Sequence, residues 1–383
     1  MAVVPAAFAW DRISSPIAWI ALYWGVMALV SCLSRGRGSR HFAARYLLAT
    51  ALLMLGAVEL ALSTKAPPDK VEHTVDYRRT DELLGYSAVP LAHARHDLRI
   101  GAEPVFDVEY DFDENGLRVA PPPTDPPPRS SVLCFGCSFM FGTGIENEEA
   151  VPYLLQELVG GRHRVYNFAL GGWGPHQMLA RIESGEVEVA VAEPPAVAIY
   201  WAIPDHVWRA AGKRYWDQRG PLYQVAEDGS AELVGSFADL PGPRPEPDRP
   251  KGIVKRSWIV RRILDRSGSD ARGNELGAPS PEDIERWSAI VRTTRDEIES
   301  RFPSCRFHVL LSDRYAGHSA ALVAALQSMD VSWSTTSPVL PRVEGDPWHW
   351  LLHRYEGHHS SEAASLIASA LAEDVLSELE KPR

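Results

Sequence analysis

The stretch "VLCFGCSFMFGTG", Val132 to Gly144, ends an apolar run on a glycine and follows it with a lone serine, Ser138. A serine hydroxyl becomes a nucleophile when a base takes its proton, an acid orients that base, and fixed donors hold the developing oxyanion. At a strand end followed by a helix, the Ser138 amide would lie at a helix N-terminus, where negative charge is stabilised. The competing reading is a turn residue after a strand. Cys134 and Cys137 have CxxC spacing, but neither a second pair nor a histidine follows at zinc-ligand spacing. Cys134 falls inside the apolar run, and Cys137 is the candidate reactive thiol at a helix start. Gly171, Gly172 and Gly174 fit neither the P-loop nor the dinucleotide spacing, and Asn147–Glu149 has no metal partner nearby. No metal or organic cofactor is expected.

An α/β pattern must position Ser138. "SVLCFG", "HRVYNFAL", "AVAIYWAI" and "CRFHVLLS" read as apolar strands, with "VSWSTTSPVL" as a shorter one. Helical periodicity falls in "EEAVPYLLQELVGG", "GPHQMLARIESGEVE", "SPEDIERWSAIVRTTRDEIESRF" and "SSEAASLIASALAEDVLSELE". Strands apolar throughout, alternating with helices, predict a three-layer α/β/α sandwich of flavodoxin-like kind around a parallel sheet. Sites in such sheets lie at the carboxyl ends of the strands, where Ser138 falls.

The pattern breaks between about 206 and 280, an insertion that is placed to cap the site. It contains the hairpin-like "RYWDQRGPLYQVAEDGSAELVGSF", the loop "GPRPEPDRPKG" and the short helix "SWIVRRILDRS". Upstream, "VFDVEYDFDENGLRV" reads as a strand and turn, and "APPPTDPPPRSS" as a connector. The expected domains are therefore 1–65, 66–130 and 131–383.

Two apolar stretches, Ser15–Leu33 and Tyr46–Ser63, each have about the length of a transmembrane helix. Arg35, Arg37, Arg40 and Arg45 lie between them with no acidic residue, which places that loop in the cytoplasm. The rest of the chain is then expected outside the cytoplasmic membrane, in the periplasm of a bacterium with two membranes. A cleaved signal peptide fits less well, because the basic cluster follows the first run. Glu59 sits inside the second run and is expected to snorkel to the interface. The 383 residues carry a net charge of -11, which argues against nucleic acid as partner.

Four blocks resemble the SGNH (GDSL-type) hydrolases, in particular membrane-anchored bacterial members. "FGCSFMFGTG" is similar to the family's strand-end Gly-Asp-Ser motif, with Cys137 in place of the aspartate. "VYNFALGGWGPHQ" is similar to the Asn-x-Gly-x-x-Gly block, with Asn167 at its start. There Gly172 falls on the glycine whose N–H helps to form the oxyanion hole. The third block departs from the pattern: in "YWAIPDHVWR", Pro204 occupies the place of the oxyanion asparagine. Asp205 and His206 are candidate oxyanion or substrate contacts there, and His206 or the indole of Trp201 or Trp173 is a candidate substitute donor. "YEGHHSSEAASLIASAL" is similar to the stretch leading into the last helix, which puts His358 at the base position. Tyr355 stands where the family has aspartate, and Glu356 is the nearest carboxylate. Asp346 and His349 in "DPWHW" match Asp-x-x-His literally and form the rival pair.

The segment "ENGLR" and the proline connector also look like those of the anchored subgroup, and the resemblance spans roughly residues 80–380. It implies a membrane-anchored serine esterase or acyl hydrolase acting outside the cytoplasm on an ester, such as an O-acetylated glycan. The alternative is a degenerate relative that binds glycan or serves an O-acyltransfer system.

Overall fold

The computed structural model describes residues 16–35, 42–63, 70–74, 77–122, 127–242, 257, 259–260, 278–313 and 319–379. Two units form. One comprises Met1–Pro68 with Glu246–Gly277, and the other Asp69–Pro245 with Ala278–Arg383.

In the first unit, α1 (Pro16–Arg35) pairs with α2 (Phe42–Ser63). Glycines permit the close approach. A Cβ on Gly25 would lie 2.8 Å from Leu53 Cγ, and one on Gly56 2.6 Å from Leu22 Cγ. Phe42–Leu62 is long and apolar enough to cross a membrane, with a mean hydropathy of 1.6, whereas the apolar stretch in α1, Ile17–Ser31, is shorter. Glu59 does not snorkel. It is fully buried and accepts hydrogen bonds from Ser257 Oγ at 3.0 Å and Ile259 N at 3.1 Å. A buried carboxylate needs donors, and chain from the 206–280 insertion supplies them. Residues 259–260 are helical and Ser257 is not, and the other residues of the helix expected over "SWIVRRILDRS" lie outside the described residues.

The second unit begins with β1 (Lys70–Thr74), β2 (Arg78–Asp81), β3 (Gly85–Ala88), β4 (His93–Ile100) and β5 (Glu103–Asp111). β1, β4 and β5 form an antiparallel sheet, and β2 and β3 a hairpin. The central sheet starts at β6 (Ser130–Phe135), which leads into the short helix α3 (Ser138–Phe141). Then come α4 (Val151–Val159), β7 (His163–Asn167), α5 (Pro175–Glu183), α6 (Glu186–Ala190), β8 (Pro195–Ala202) and α7 (His206–Ala210). After the hairpin β9 (Pro221–Val225) and β10 (Ala231–Ser236) follow α8 (Pro281–Arg301), β11 (Arg306–Leu311), α9 (Ser319–Ser328) and β12 (Ser332–Thr335). The chain closes with β13 (Leu351–His353), β14 (Glu356–His359) and α10 (Ser361–Leu379).

The parallel sheet has the order β12-β11-β8-β6-β7. Side chains alternate between two cores, as strand geometry requires. Val132, Cys134, Val197, Ile199 and Trp201 join Leu155 of α4 and Ile367 of α10. Leu133, Phe135, Ala198, Tyr200 and Ala202 join Met178 of α5, Trp287 of α8 and Leu322 of α9. The expected three layers are present. Strand order reverses direction between β6 and β8, and such a switch point opens a crevice at the strands' carboxyl ends. Ser138 follows β6 directly there.

The expected boundary at the proline connector does not divide compact units, because residues 69–130 belong with the sheet. The reason is a shared core, in which Leu84, Leu98, Tyr110 and Phe112 join Cys134 and Trp201 of the sheet, together with Arg118 and Tyr86, which donate to backbone carbonyls of the loops at the sheet's carboxyl end. The expected insertion is also split, since residues up to Pro245 belong with the sheet and Glu246–Gly277 with α1 and α2.

Candidate active site

The backbone turns sharply out of β6. Gly136 adopts φ 156°, and a Cβ there would lie 3.0 Å from Met140 Cβ and 3.2 Å from Trp201 O. Cys137 in extended conformation then caps α3, which starts on Ser138 and ends on Gly142 at φ 85°. Ser138 is 8% exposed. Its amide and that of Gly172 engage no other described residue, so both remain available to an oxyanion. Gly172 adopts φ 88°, a left-handed conformation suited to glycine, and a Cβ there would lie 2.5 Å from the Tyr86 hydroxyl oxygen. Its neighbour Gly171 faces the serine: a Cβ on Gly171 would lie 3.9 Å from Ser138 Cβ.

The candidate base His358 and the carboxylate Glu356 lie on β14, which packs against α3. His358 Nδ1 lies 2.5 Å from Glu356 Oε1, and the His358 backbone N–H donates to Glu356 Oε2 at 2.8 Å. One carboxylate thus fixes both the backbone and the ring of the histidine, leaving Nε2 for a substrate or nucleophile. The His358 ring centroid stands 5.5 Å from that of Phe139, the residue after Ser138. Among the described residues, no hydrogen bond joins Ser138 Oγ to His358. The serine hydroxyl instead meets Cys137 Sγ at 4.0 Å. Nucleophile–base contacts are often long without substrate and tighten in the complex.

Burial is the largest influence on Glu356 and opposes its ionisation. The charge and hydrogen bonds of His358 together outweigh it and hold the carboxyl below its ordinary value. A carboxyl depressed in the folded state contributes stability above its unfolded value, and that contribution disappears as pH falls through the folded one. Glu356→Gln lacks this proton linkage. In urea titrations run from about pH 7 to below the ordinary carboxylate value of about 4.3, wild type should lose stability more steeply than the variant. Parallel acid limbs would show that the pair does not form.

The rival His349 lies elsewhere. It is 35% exposed in its side chain, 3.4 Å from Asp346 Oδ2 and 3.7 Å from Glu362 Oε2, with its ring edge on Trp350. None of these contacts is on the Ser138 helix. Tyr355 is exposed.

The candidate substitutes for the missing asparagine are committed inside the protein. His206 is fully buried, with Nδ1 2.6 Å from the Tyr200 hydroxyl, and burial lowers its pKa well below the ordinary histidine value. Trp201 Nε1 donates to Ser312 Oγ, and Trp173 Nε1 to Tyr86 O. Asp205 pairs with Arg209 at 2.7 Å and with Arg214. Its burial opposes ionisation, but the two guanidiniums lower its pKa. Arg209 in turn donates to Trp173 O at 2.7 Å. The role that the geometry leaves to Asp205 is to brace the glycine loop. Asn167 is buried at the end of β7, and its Oδ1 accepts from Ala169 N at 3.2 Å, which shapes the start of that same loop. Cys137 is fully buried, as is Cys134, where burial also raises the thiol pKa.

Sequence reasoning missed two arginines. Arg118, the last residue of "ENGLR", is 2% exposed and donates to the carbonyls of Phe141, Gly142 and Ile145 and to Asn147 Oδ1. It clamps the loop that follows the helix begun by Ser138. The motif was visible, but nothing local indicated which loop it serves. Arg78 comes from the β2–β3 hairpin, and its Nη2 lies 3.1 Å from where a Gly171 Cβ would be. No sequence signal pointed to it.

No protein-family model matches the chain, and no curated protein matches it. Solved structures do. A carbohydrate acetylesterase from Sinorhizobium meliloti aligns with 65% of this chain and 99% of its own, at 12% identity and a TM-score of 0.33. A carbohydrate esterase family 2 enzyme with a carbohydrate-binding domain, from Corynascus thermopiles, aligns with 75% of this chain and 78% of its own, at 13% identity and 0.36. A lipase from a goat rumen metagenome aligns with 64% and 96%, at 11% and 0.35.

Proposed function

We propose that the chain is a membrane-anchored serine esterase of the SGNH kind, acting outside the cytoplasm on an ester such as an O-acetylated glycan. The observation that carries this reading is the Glu356–His358 pair, held on a strand packed against the helix that Ser138 begins. Ser138 Oγ attacks the acyl carbon while His358 takes its proton. Glu356 stabilises the resulting imidazolium, and the amides of Ser138 and Gly172 hold the oxyanion. His358 then returns the proton to the departing alkoxide, and water or a sugar hydroxyl releases the acyl group by the reverse sequence. The apolar helices α1 and α2 are the proposed anchor, inserted as a hairpin.

A second reading, a non-catalytic glycan-binding or accessory relative, is favoured by Pro204 at the place of the asparagine, with His206, Trp201 and Trp173 all engaged internally. Labelling of the full chain in detergent with a fluorophosphonate separates the two. Wild type and His349→Ala should label, and Ser138→Ala and His358→Ala should not. A folded wild type that stays unlabelled would leave only the accessory reading.

A further inference from the structure

We infer that Tyr86 is a positioning residue of the glycine loop: its hydroxyl locks the peptide between Gly171 and Gly172 in the orientation that offers the Gly172 N–H to the oxyanion. That role rests on the esterase reading, which supplies the anion.

Residues 170–173 form a turn, closed by Trp173 N donating to Leu170 O at 3.2 Å. Of its two central residues only Gly172 has a positive φ, at 88°, which is the signature of a type II turn. A type II turn differs from a type I turn mainly by rotation of its central peptide, here the one between Gly171 and Gly172. In a trans peptide the carbonyl oxygen and the amide hydrogen point in opposite directions, so that rotation would exchange their sides. Glycine on both sides of the bond makes the rotation easy, since neither residue has a Cβ to forbid the other conformation. An oxyanion donor built on such a bond needs an external hold, because a dipole stabilises a transition state best where it is already aimed.

Tyr86 supplies that hold. Its hydroxyl donates to Gly171 O at 2.9 Å, and this oxygen belongs to the same peptide as the Gly172 N–H. Fixing the oxygen therefore fixes the N–H on the side away from Tyr86. A hydrogen bond to the carbonyl also polarises the peptide, which strengthens the N–H as a donor. The hydroxyl oxygen lies 2.5 Å from where a Gly172 Cβ would be, in space that glycine leaves open. Desolvation holds the Tyr86 hydroxyl above the ordinary tyrosine value, and the Asp217 carboxylate adds to this against the smaller opposite effects of Arg78 and Arg209. The group therefore keeps the proton that it donates.

Other contacts hold the next two peptides of the loop. Trp216 Nε1 donates to Gly172 O at 3.2 Å. Arg209 Nη1 donates to Trp173 O at 2.7 Å, and Gly174 N donates to Gln177 Oε1 at 2.7 Å. Asp217 Oδ2 lies 2.7 Å from His176 Nε2 and accepts from Gln177 Nε2 at 2.9 Å, which anchors the end of the loop. Tyr86 itself is firmly placed. It pairs with Thr80 across the β2–β3 hairpin, whose turn is closed by Asp81 Oδ1 accepting from Leu83 N and Leu84 N. Trp173 Nε1 donates back to Tyr86 O at 3.2 Å, so tyrosine and loop bond to each other twice.

The test compares wild type, Tyr86→Phe and Trp216→Phe as full chains in detergent. Phenylalanine at 86 removes one hydroxyl and keeps the ring, so that variant should stay folded, which thermal melting checks. Gly160 with Gly161 and Gly171 with Gly172 are the two adjacent glycine pairs in the chain. Glycine isotope-labelled at its carbonyl carbon and nitrogen therefore gives carbonyl-selected amide signals from Gly161 and Gly172 alone. In a weakly aligned sample the N–H dipolar coupling of Gly172 reads the direction of that bond, with Gly161 as control. Tyr86→Phe should change the Gly172 coupling or split its signal and leave Gly161 unaltered. With a small activated acetyl ester, Tyr86→Phe should lower kcat at least about tenfold with KM nearly unchanged, short of the roughly 10²–10³-fold cost of deleting a donor outright. Trp216→Phe should cost less, since it frees the following peptide. An unaltered Gly172 coupling in Tyr86→Phe, wild-type kcat in that variant, or equal kcat losses in the two variants would overturn the inference. Fluorophosphonate labelling of wild type reports separately on catalysis. Labelling with an unaltered coupling defeats the inference alone. A changed coupling without labelling defeats the esterase reading alone and leaves Tyr86 as the lock of the turn.

Discussion

Ester turnover should fall by about 10⁶-fold in Ser138→Ala, by a similar factor in His358→Ala, and no further in the double variant. The reason is that nucleophile and base act as one unit: once either is gone, the other has no proton transfer to complete. Residual activity would come from the backbone donors, the amides of Ser138 and Gly172, which alanine at 138 preserves. Glu356→Gln tests a different contribution. The amide keeps an acceptor for the His358 backbone N–H but removes the charge beside Nδ1. It should therefore lower kcat more than it raises KM, since the charge matters most when the imidazolium forms. Initial rates with a small activated acetyl ester measure wild type and the four variants. Additive losses in the double variant would mean that Ser138 and His358 do not act together, and the assignment would fail.

Arg118→Met should lower stability by about 2–4 kcal/mol, and the melting temperature by roughly 5–10 °C for a unit of this size. The arginine is expensive to keep, since burial pushes its guanidinium down to about 10. It is retained because three carbonyls and Asn147 Oδ1 converge on it, with the rings of Tyr110 and Phe141 against its guanidinium. Methionine fills a similar volume but leaves those acceptors buried and unpaired. Arg118→Lys keeps the charge without the planar fork, so it should recover only part of the loss. Calorimetric melting of wild type and the two variants measures this. The loop from Gly142 to Asn147 follows the Ser138 helix directly, so fluorophosphonate labelling of Arg118→Met should also slow at temperatures where it remains folded. Wild-type melting in the methionine variant would show that the clamp is dispensable.

Local periodicity made most of the architecture legible. The central strands β6 and β8 are buried almost throughout and mostly apolar, so they stand out between amphipathic helices, whereas the edge strands β7 and β12 are more polar and less buried. Ser280 and Pro281 marked the start of α8, where the Ser280 side chain accepts from Asp283 N. Ser138 was legible because a strand-end glycine and a serine are adjacent in sequence. Glu356 and His358 were legible because their pairing spans two residues. Contacts between distant segments left no local signal. Nothing in "VDYRRT" states that Arg78 will lie beside Gly171, and nothing in "ENGLR" states that its arginine will hold the loop after Ser138. His206 shows the converse: a polar residue beside the expected oxyanion position was turned into the core by its pairing with Tyr200. Sequence by itself determined the α/β class, the position of the strand-end serine and the apolar N-terminal helices, because these depend on residue order over short spans. Tertiary structure alone decided that β14, which carries both His358 and His359, packs against the Ser138 helix, that residues 69–130 belong with the sheet, and that Glu59 is buried. Each of those outcomes depends on contacts, apolar or polar, between segments distant in sequence, which leave no local signal.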